Sequence, residues 1–202
     1  REKGIRLTKE NFHDCGKGVI YFPGVLEWFE RINRFGASLD LEIEHYIISS
    51  GLREIIEGTA IAKDFTHIYA SSFYYNEHGE PCWPAQVINY TNKTQFLFRI
   101  EKGILDINDN AVNDHFVEGE LRVPFRNIVY IGDSATDIPC MRLVNSLGGH
   151  SVGVYDLENT DSKDTVRRMI RDERIRYYVP ADYTKGSEMD ILIHQIIDKT
   201  AA

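Results

Sequence analysis

The chain reads as an α/β protein, a parallel sheet with helices on both faces. Three observations predict this. Short β-rich apolar runs alternate with amphipathic helical stretches, the pattern of a helix-covered parallel sheet. One such run, residues 128–131, stops at Gly132, and Asp133 follows it ahead of a helix starting near Pro139. That arrangement puts a carboxylate at the carboxyl end of a strand, where open α/β sheets hold their ligands. Finally, 202 residues with 43% hydrophobic content suffice for one substantial core.

The elements follow in order. Residues 1–19 are polar and Gly-bearing, with a short helix expected over 8–15. Phe22-Pro23-Gly24-Val25 opens an amphipathic helix in which Leu26, Phe29, Ile32 and Phe35 recur at helical spacing, and Gly36 ends it. A strand is expected over 43–48, then a short helix over 51–57, a further helical turn over 59–65 and a strand over 67–72. Asn76-Glu77-His78-Gly79-Glu80-Pro81 is a turn signal whose flanks predict a β-hairpin near 74–88. A helical run starts at Lys93. Residues 106–120, rich in Asp and Asn, read as a surface insertion, with no calcium loop because the EF-hand glycine and terminal Glu are lacking.

After the 128–131 strand, a helix over 140–147 should end at Gly148-Gly149. Thr136 or Asp137 is placed to cap it, and Pro139 suits its first turn. A strand over 151–155, a charged helix over 162–174, a short strand over 176–179 and a closing helix over 186–199 complete the pattern. Asp156-Leu157-Glu158-Asn159-Thr160 falls in a loop and helix start.

Composition excludes several roles. A net charge of −8 gives no footprint for nucleic acid or an anionic membrane surface. No apolar run approaches the ~20 residues that span a bilayer. Cys15, Cys82 and Cys140 are odd in number and widely spaced, which argues for a reducing cytoplasm and against a disulfide framework or zinc site. His45, His67 and His115 have no partners at metal spacing, and His13, Asp14 and Cys15 are adjacent instead of spaced around one cation. Trp28 and Trp83 read as packing residues, Lys63 and Lys102 as surface lysines, and the arginines of 167–176 as a solvated helix face.

The residues with chemistry in them are fewer. Asp133 is a suitable ligand for a hard cation such as Mg²⁺, which prefers carboxylate oxygens and water. Ser49 offers a hydroxyl, and the Ser50 and Gly51 amides, read at a helix start, make an anion site. Lys93, a cation at the head of a helix, gains from a nearby anion because the helix dipole there disfavours positive charge.

Gly132-Asp133-Ser134-Ala135-Thr136-Asp137 resembles the fourth motif of the haloacid dehalogenase (HAD) superfamily, whose strand ends in GDxxxD. Tyr46-Ile47-Ile48-Ser49-Ser50-Gly51 resembles its second motif, and Lys93 its third, in the order that the family requires. The likeness runs from about Pro23 to the C-terminus and is nearest to phosphoserine-phosphatase-type members. It implies a Rossmann-like core and a Mg²⁺-dependent phosphohydrolase acting on a small phosphorylated substrate through an aspartyl-phosphate intermediate. It also implies roles: Ser49, with Ser50 and Gly51, on the phosphate, Lys93 neutralising charge, Asp137 orienting Lys93, and Asp133 on the metal.

The superfamily's first motif, DxDx[TV] on an N-terminal strand, is not found ahead of Ser49. The expected fold is therefore a HAD-like core over 23–202 lacking its first strand and most of any cap, with 1–22 as the tail of a cap or a linker. Without the nucleophile motif this stretch should hydrolyse little, and the missing strand should leave a sheet edge open to self-association or to another chain. The alternative is a non-catalytic binding or regulatory module on the same scaffold.

Overall fold

The computed structural model describes residues 7–202, an α/β structure carrying two three-stranded sheets. In the first, β1 (Tyr46–Leu52) lies parallel to β2 (His67–Tyr75), and β2 turns back into antiparallel β3 (Pro81–Gln86). In the second, β4 (Val129–Gly132), β5 (His150–Tyr155) and β6 (Tyr177–Pro180) are all parallel, in that order. The helices are α1 (Lys9–Gly16), α2 (Val25–Ala37), α3 (Arg53–Glu57), α4 (Thr94–Lys102), α5 (Ile138–Ser146), α6 (Thr160–Arg171) and α7 (Glu188–Ala201).

Side-chain alternation sorts the helices onto two faces. Val152 and Val154 of β5 pack with Trp28, Phe29 and Ile32 of α2 and with Met189, Ile193 and Ile197 of α7. On the opposite face, Tyr155 and Tyr130 pack with Cys140, Met141 and Val144 of α5 and Val166 of α6. Covered on both sides, β5 is buried along its whole length. At Gly153 there is no room for a side chain, since an added Cβ would lie 2.8 Å from Val166 of α6 and 2.6 Å from Ile175 beyond it. A third cluster, Tyr69, Ile88, Phe96 and Ile100, joins β2 to α4.

The hairpin forms where it was expected, with Gly79 at φ 72° and the Asn76 side chain accepting from the His78 and Glu80 amides. Trp83 departs from expectation. It is 74% exposed and sits opposite Tyr74 across the hairpin, because β3 is an outer strand with no helix over it. Leu26 is likewise exposed, as it lies on the solvent side of α2. Lys102 is no free surface lysine: its ammonium donates to the Val112 and Asp114 carbonyls. Together with Arg99, which donates to the Asp106, Ile107 and Asp109 carbonyls, it ties the 106–120 insertion to α4. Those carbonyls thus serve the Arg99 guanidinium and the Lys102 ammonium.

The two sheets do not join. β1 ends the first and β4 ends the second, and the free sides of both border one cavity of about 1350 Å³. The edges left open at this point both border that cavity. No described helix is long and apolar enough to cross a membrane.

Candidate functional site

The cavity's lining brings together Ser49, Lys93, Asp133 and Asp137. They come from three segments: the end of β1, the start of α4, and the connection between β4 and α5, which carries both aspartates. Lys93 is the N-cap of α4, and its ammonium reaches Asp137 Oδ1 at 2.7 Å. Asp137 holds the N-cap position of α5 but makes no side-chain capping bond, contrary to the capping role read from sequence. Its carboxylate is instead committed inward. Oδ1 also accepts from the Tyr130 hydroxyl at 2.9 Å, and Oδ2 accepts from Ser134 Oγ at 3.1 Å.

Lys93 and Asp137 are both buried, so each depends on the other: a buried charge without a partner costs several kcal/mol. Tyr130 stays a neutral donor, because burial and then the Asp137 charge push its phenol far above the ordinary range. Burial likewise pushes the Cys140 thiol, close by, up to about 11, so it remains unionised. Tyr130 and Ser134 were not singled out from sequence. The available signal was a tyrosine inside an Ile/Val strand that leads into an acidic turn.

Ser49, Ser50 and Gly51 differ from expectation. β1 continues through Leu52, and α3 begins only at Arg53, so Ser49 does not cap a helix. The ladder pairs Ile48 with Tyr69 and next pairs Leu52 with Ser71, which makes 49–51 a bulge. Within it the Gly51 amide donates to Ser49 Oγ at 3.0 Å, leaving the Ser49 hydroxyl proton to point elsewhere. The Ser50 carbonyl accepts from Ser71 Oγ at 3.2 Å. Ser49 borders the cavity, while Ser50 and Gly51 are exposed and do not line it.

Asp133 follows β4 directly and is exposed at the cavity's edge. Burial, followed by the charge of Asp133, pushes Tyr183 up to about 12, which places its ring within electrostatic reach of that carboxylate. Among the described residues no group of three or more His, Cys, Asp or Glu side chains is arranged around one point. Asp133 thus stands as a single exposed carboxylate at the cavity's edge.

No family model matches the chain. It is 25% identical over 200 residues to an uncharacterized protein of Borreliella burgdorferi, a likeness covering 91% of this chain and 68% of that protein.

Proposed function

We propose that residues 23–202 are most of the core of a Mg²⁺-dependent phosphohydrolase of the HAD kind, acting on a small phosphorylated substrate in the cytoplasm, with its nucleophilic aspartate supplied by polypeptide outside these residues. The observation that carries this reading is the buried Lys93–Asp137 pair at a cavity that also reaches Ser49 and Asp133. Phosphoryl transfer asks mainly for positioning and charge neutralisation. Lys93 is a compact cation for the phosphoryl oxygens, and Asp137, itself fixed by Tyr130 and Ser134, holds its direction. The Ser49 hydroxyl, whose oxygen is already occupied by the Gly51 amide, donates its proton to a phosphate oxygen. A Mg²⁺ ion held in part by Asp133 supplies charge neutralisation when bound.

The test uses the longer polypeptide that contains this stretch. Release of phosphate from p-nitrophenyl phosphate should depend on Mg²⁺ and fall at least roughly a hundredfold in Lys93→Met and Asp133→Asn. Full activity in either variant would overturn the assignment. A second reading, a non-catalytic anion-binding module, is favoured by the Lys93 ammonium and the Ser49 hydroxyl, two donors on one cavity that could hold a phosphate group without breaking it. Binding of inorganic phosphate that needs Lys93, with no turnover in the longer protein, would select it.

A further inference from the structure

We propose that the connection between α1 and α2, residues 17–24, selects the ligand at the phosphate site: Ile20 and Phe22 receive the organic part of a phosphate monoester, and that part is apolar and carries no negative charge of its own. The inference deepens the phosphohydrolase reading and rests on it for the phosphate end of the ligand.

The connection is a wall of the cavity. Ile20, Tyr21 and Phe22 border the same space as Ser49, Lys93 and Asp133. Main-chain contacts fix it there along its length. At the upstream end, an added Cβ on Gly16 would lie 2.2 Å from the Ile55 carbonyl oxygen, so α1 sits directly on α3. In the middle, the Tyr21 hydroxyl accepts from the Ala60 amide at 3.0 Å. At the downstream end, the Pro23 carbonyl accepts from the Tyr183 amide at 2.8 Å. Gly24, at φ 77°, leaves no room for a side chain, since a Cβ there would lie 2.4 Å from the Thr184 nitrogen. Tyr183 in turn packs edge-on against Trp28 of α2, with ring centroids 5.2 Å apart. A surface positioned in advance binds without a further ordering cost.

What this wall presents is apolar. Ile20 is 95% exposed and Phe22 is 45% exposed. Neither belongs to any of the three core clusters, so folding of the described residues gains little from them. One exposed apolar side chain is ordinary. Two on a pinned wall, beside a site for phosphate, gain from a ligand whose organic part covers both.

The charges of the cavity set the second condition. Among the described lining residues, Lys93 and Arg122 are the lysine and arginine, and each already meets a carboxylate, Asp137 and Glu44 respectively. Asp133 and Asp156 follow neighbouring strands, since β4 and β5 run parallel with Gly132 beside Gly153. Asp156 borders the cavity, and its Oδ1 accepts only from the Glu158 amide, which leaves its charge uncompensated. A bound phosphate group takes the Lys93 ammonium and the Mg²⁺ proposed at Asp133. A carboxylate or a second phosphate on the same ligand would find no further lysine or arginine in that lining and would be repelled by Asp156. A neutral organic part meets no such repulsion.

The isotope-labelled 202-residue chain is titrated in Mg²⁺ buffer with methyl phosphate, phenyl phosphate and phosphoglycolate, three monoesters that differ in their organic part, and its amide resonances are followed. Phenyl phosphate should bind roughly tenfold tighter than methyl phosphate and move the amides of 19–22, and phosphoglycolate should bind no tighter than methyl phosphate. Ile20→Ser and Phe22→Ala should each cut the preference for phenyl over methyl to about threefold or less. Asp156→Asn should tighten phosphoglycolate by about threefold. Equal binding of the phenyl and methyl esters, a preference that both wall variants keep, phosphoglycolate binding as tightly as phenyl phosphate, or no binding of any of the three would each overturn the inference. Methyl phosphate binding without preference for the phenyl ester would remove the selecting wall and leave the phosphate site standing. The preference intact, with no release of phosphate by the longer polypeptide, would remove the phosphohydrolase and leave the wall.

Discussion

Lys93 Nζ lies 2.7 Å from Asp137 Oδ1, and the two residues, forty-four apart in sequence, are each only 6% exposed. Removing one member leaves the other charged and enclosed, which costs about 3–5 kcal/mol. Lys93→Met and Asp137→Asn should therefore each lower stability by about that much. The double variant should recover part of the loss, since it leaves no lone charge behind. Urea unfolding of the four proteins gives the coupling. Strict additivity would mean that the ion pair contributes nothing beyond its separate parts.

The turn that aims Asp137 is as tight as the pair itself. A Cβ at Gly132 would come within 2.7 Å of Asp137 Cβ and 2.8 Å of its Cγ. Gly132→Ala must push the carboxylate away from Lys93 and Tyr130, costing about 1–3 kcal/mol through crowding alone. The expected consequence is a phosphate site weakened in step with stability. Retained stability with unchanged phosphate binding would show that the turn yields without moving Asp137.

Helix α1 is held by backbone approach more than by apolar contact. A Cβ on Gly58 would lie 1.8 Å from the His13 carbonyl oxygen, and one on Gly16 would lie 2.2 Å from the Ile55 carbonyl oxygen. Both obstructions are main chain, so no rotamer change relieves them. Gly58→Ala should detach α1 from α3, opening the linker at 17–24 to limited proteolysis while the core over 25–202 stays resistant. Unchanged cleavage would mean that α1 can dock in another way.

What was legible in the sequence followed from local chemistry. The Gly79 turn, the helix opening at Lys93 and the strand ending at Gly132 each announce themselves within a few residues, and each is present. The convergence of Lys93 and Asp137 was anticipated only through the resemblance of three short motifs to those of the HAD superfamily. What escaped depends on neighbours far along the chain. Trp83 is exposed because no helix covers β3, and Arg99 and Lys102 are captured by carbonyls of an insertion that looked solvated. The 49–51 bulge depends on the register between β1 and β2, which neither strand specifies alone.

Stability should fall on mild acidification. His45, His67 and His150 are each held below the ordinary imidazole range, burial being the largest cause in all three. The unfolded chain therefore binds protons that the folded chain refuses. By linkage, the stabilisation is complete above the unfolded value of about 6.5 and is lost as the pH drops from there toward the folded values. Urea midpoints should be lower at pH 5.5 than at pH 7.5, and His150→Gln should flatten the difference. A flat profile for the parent chain would show that these rings are solvated.

The sharpest separation among the candidate phosphate contacts lies between adjacent serines. Ser49 borders the cavity and has its oxygen occupied by the Gly51 amide, so its hydroxyl proton is available to a ligand. Ser50 is exposed, does not line the cavity, and is tied to the sheet through its carbonyl, which a side-chain change leaves in place. A hydrogen bond to a charged group is worth about 1.5–3 kcal/mol, which corresponds to roughly 10- to 150-fold. In the longer polypeptide, Ser49→Ala should lower kcat/KM for p-nitrophenyl phosphate by that factor, and Ser50→Ala should leave it within about twofold. Inorganic phosphate competition should weaken in the first variant only. Equal losses in both would mean that the bulge as a whole, and not the Ser49 hydroxyl, holds the phosphate, and a loss confined to Ser50→Ala would reverse the assignment.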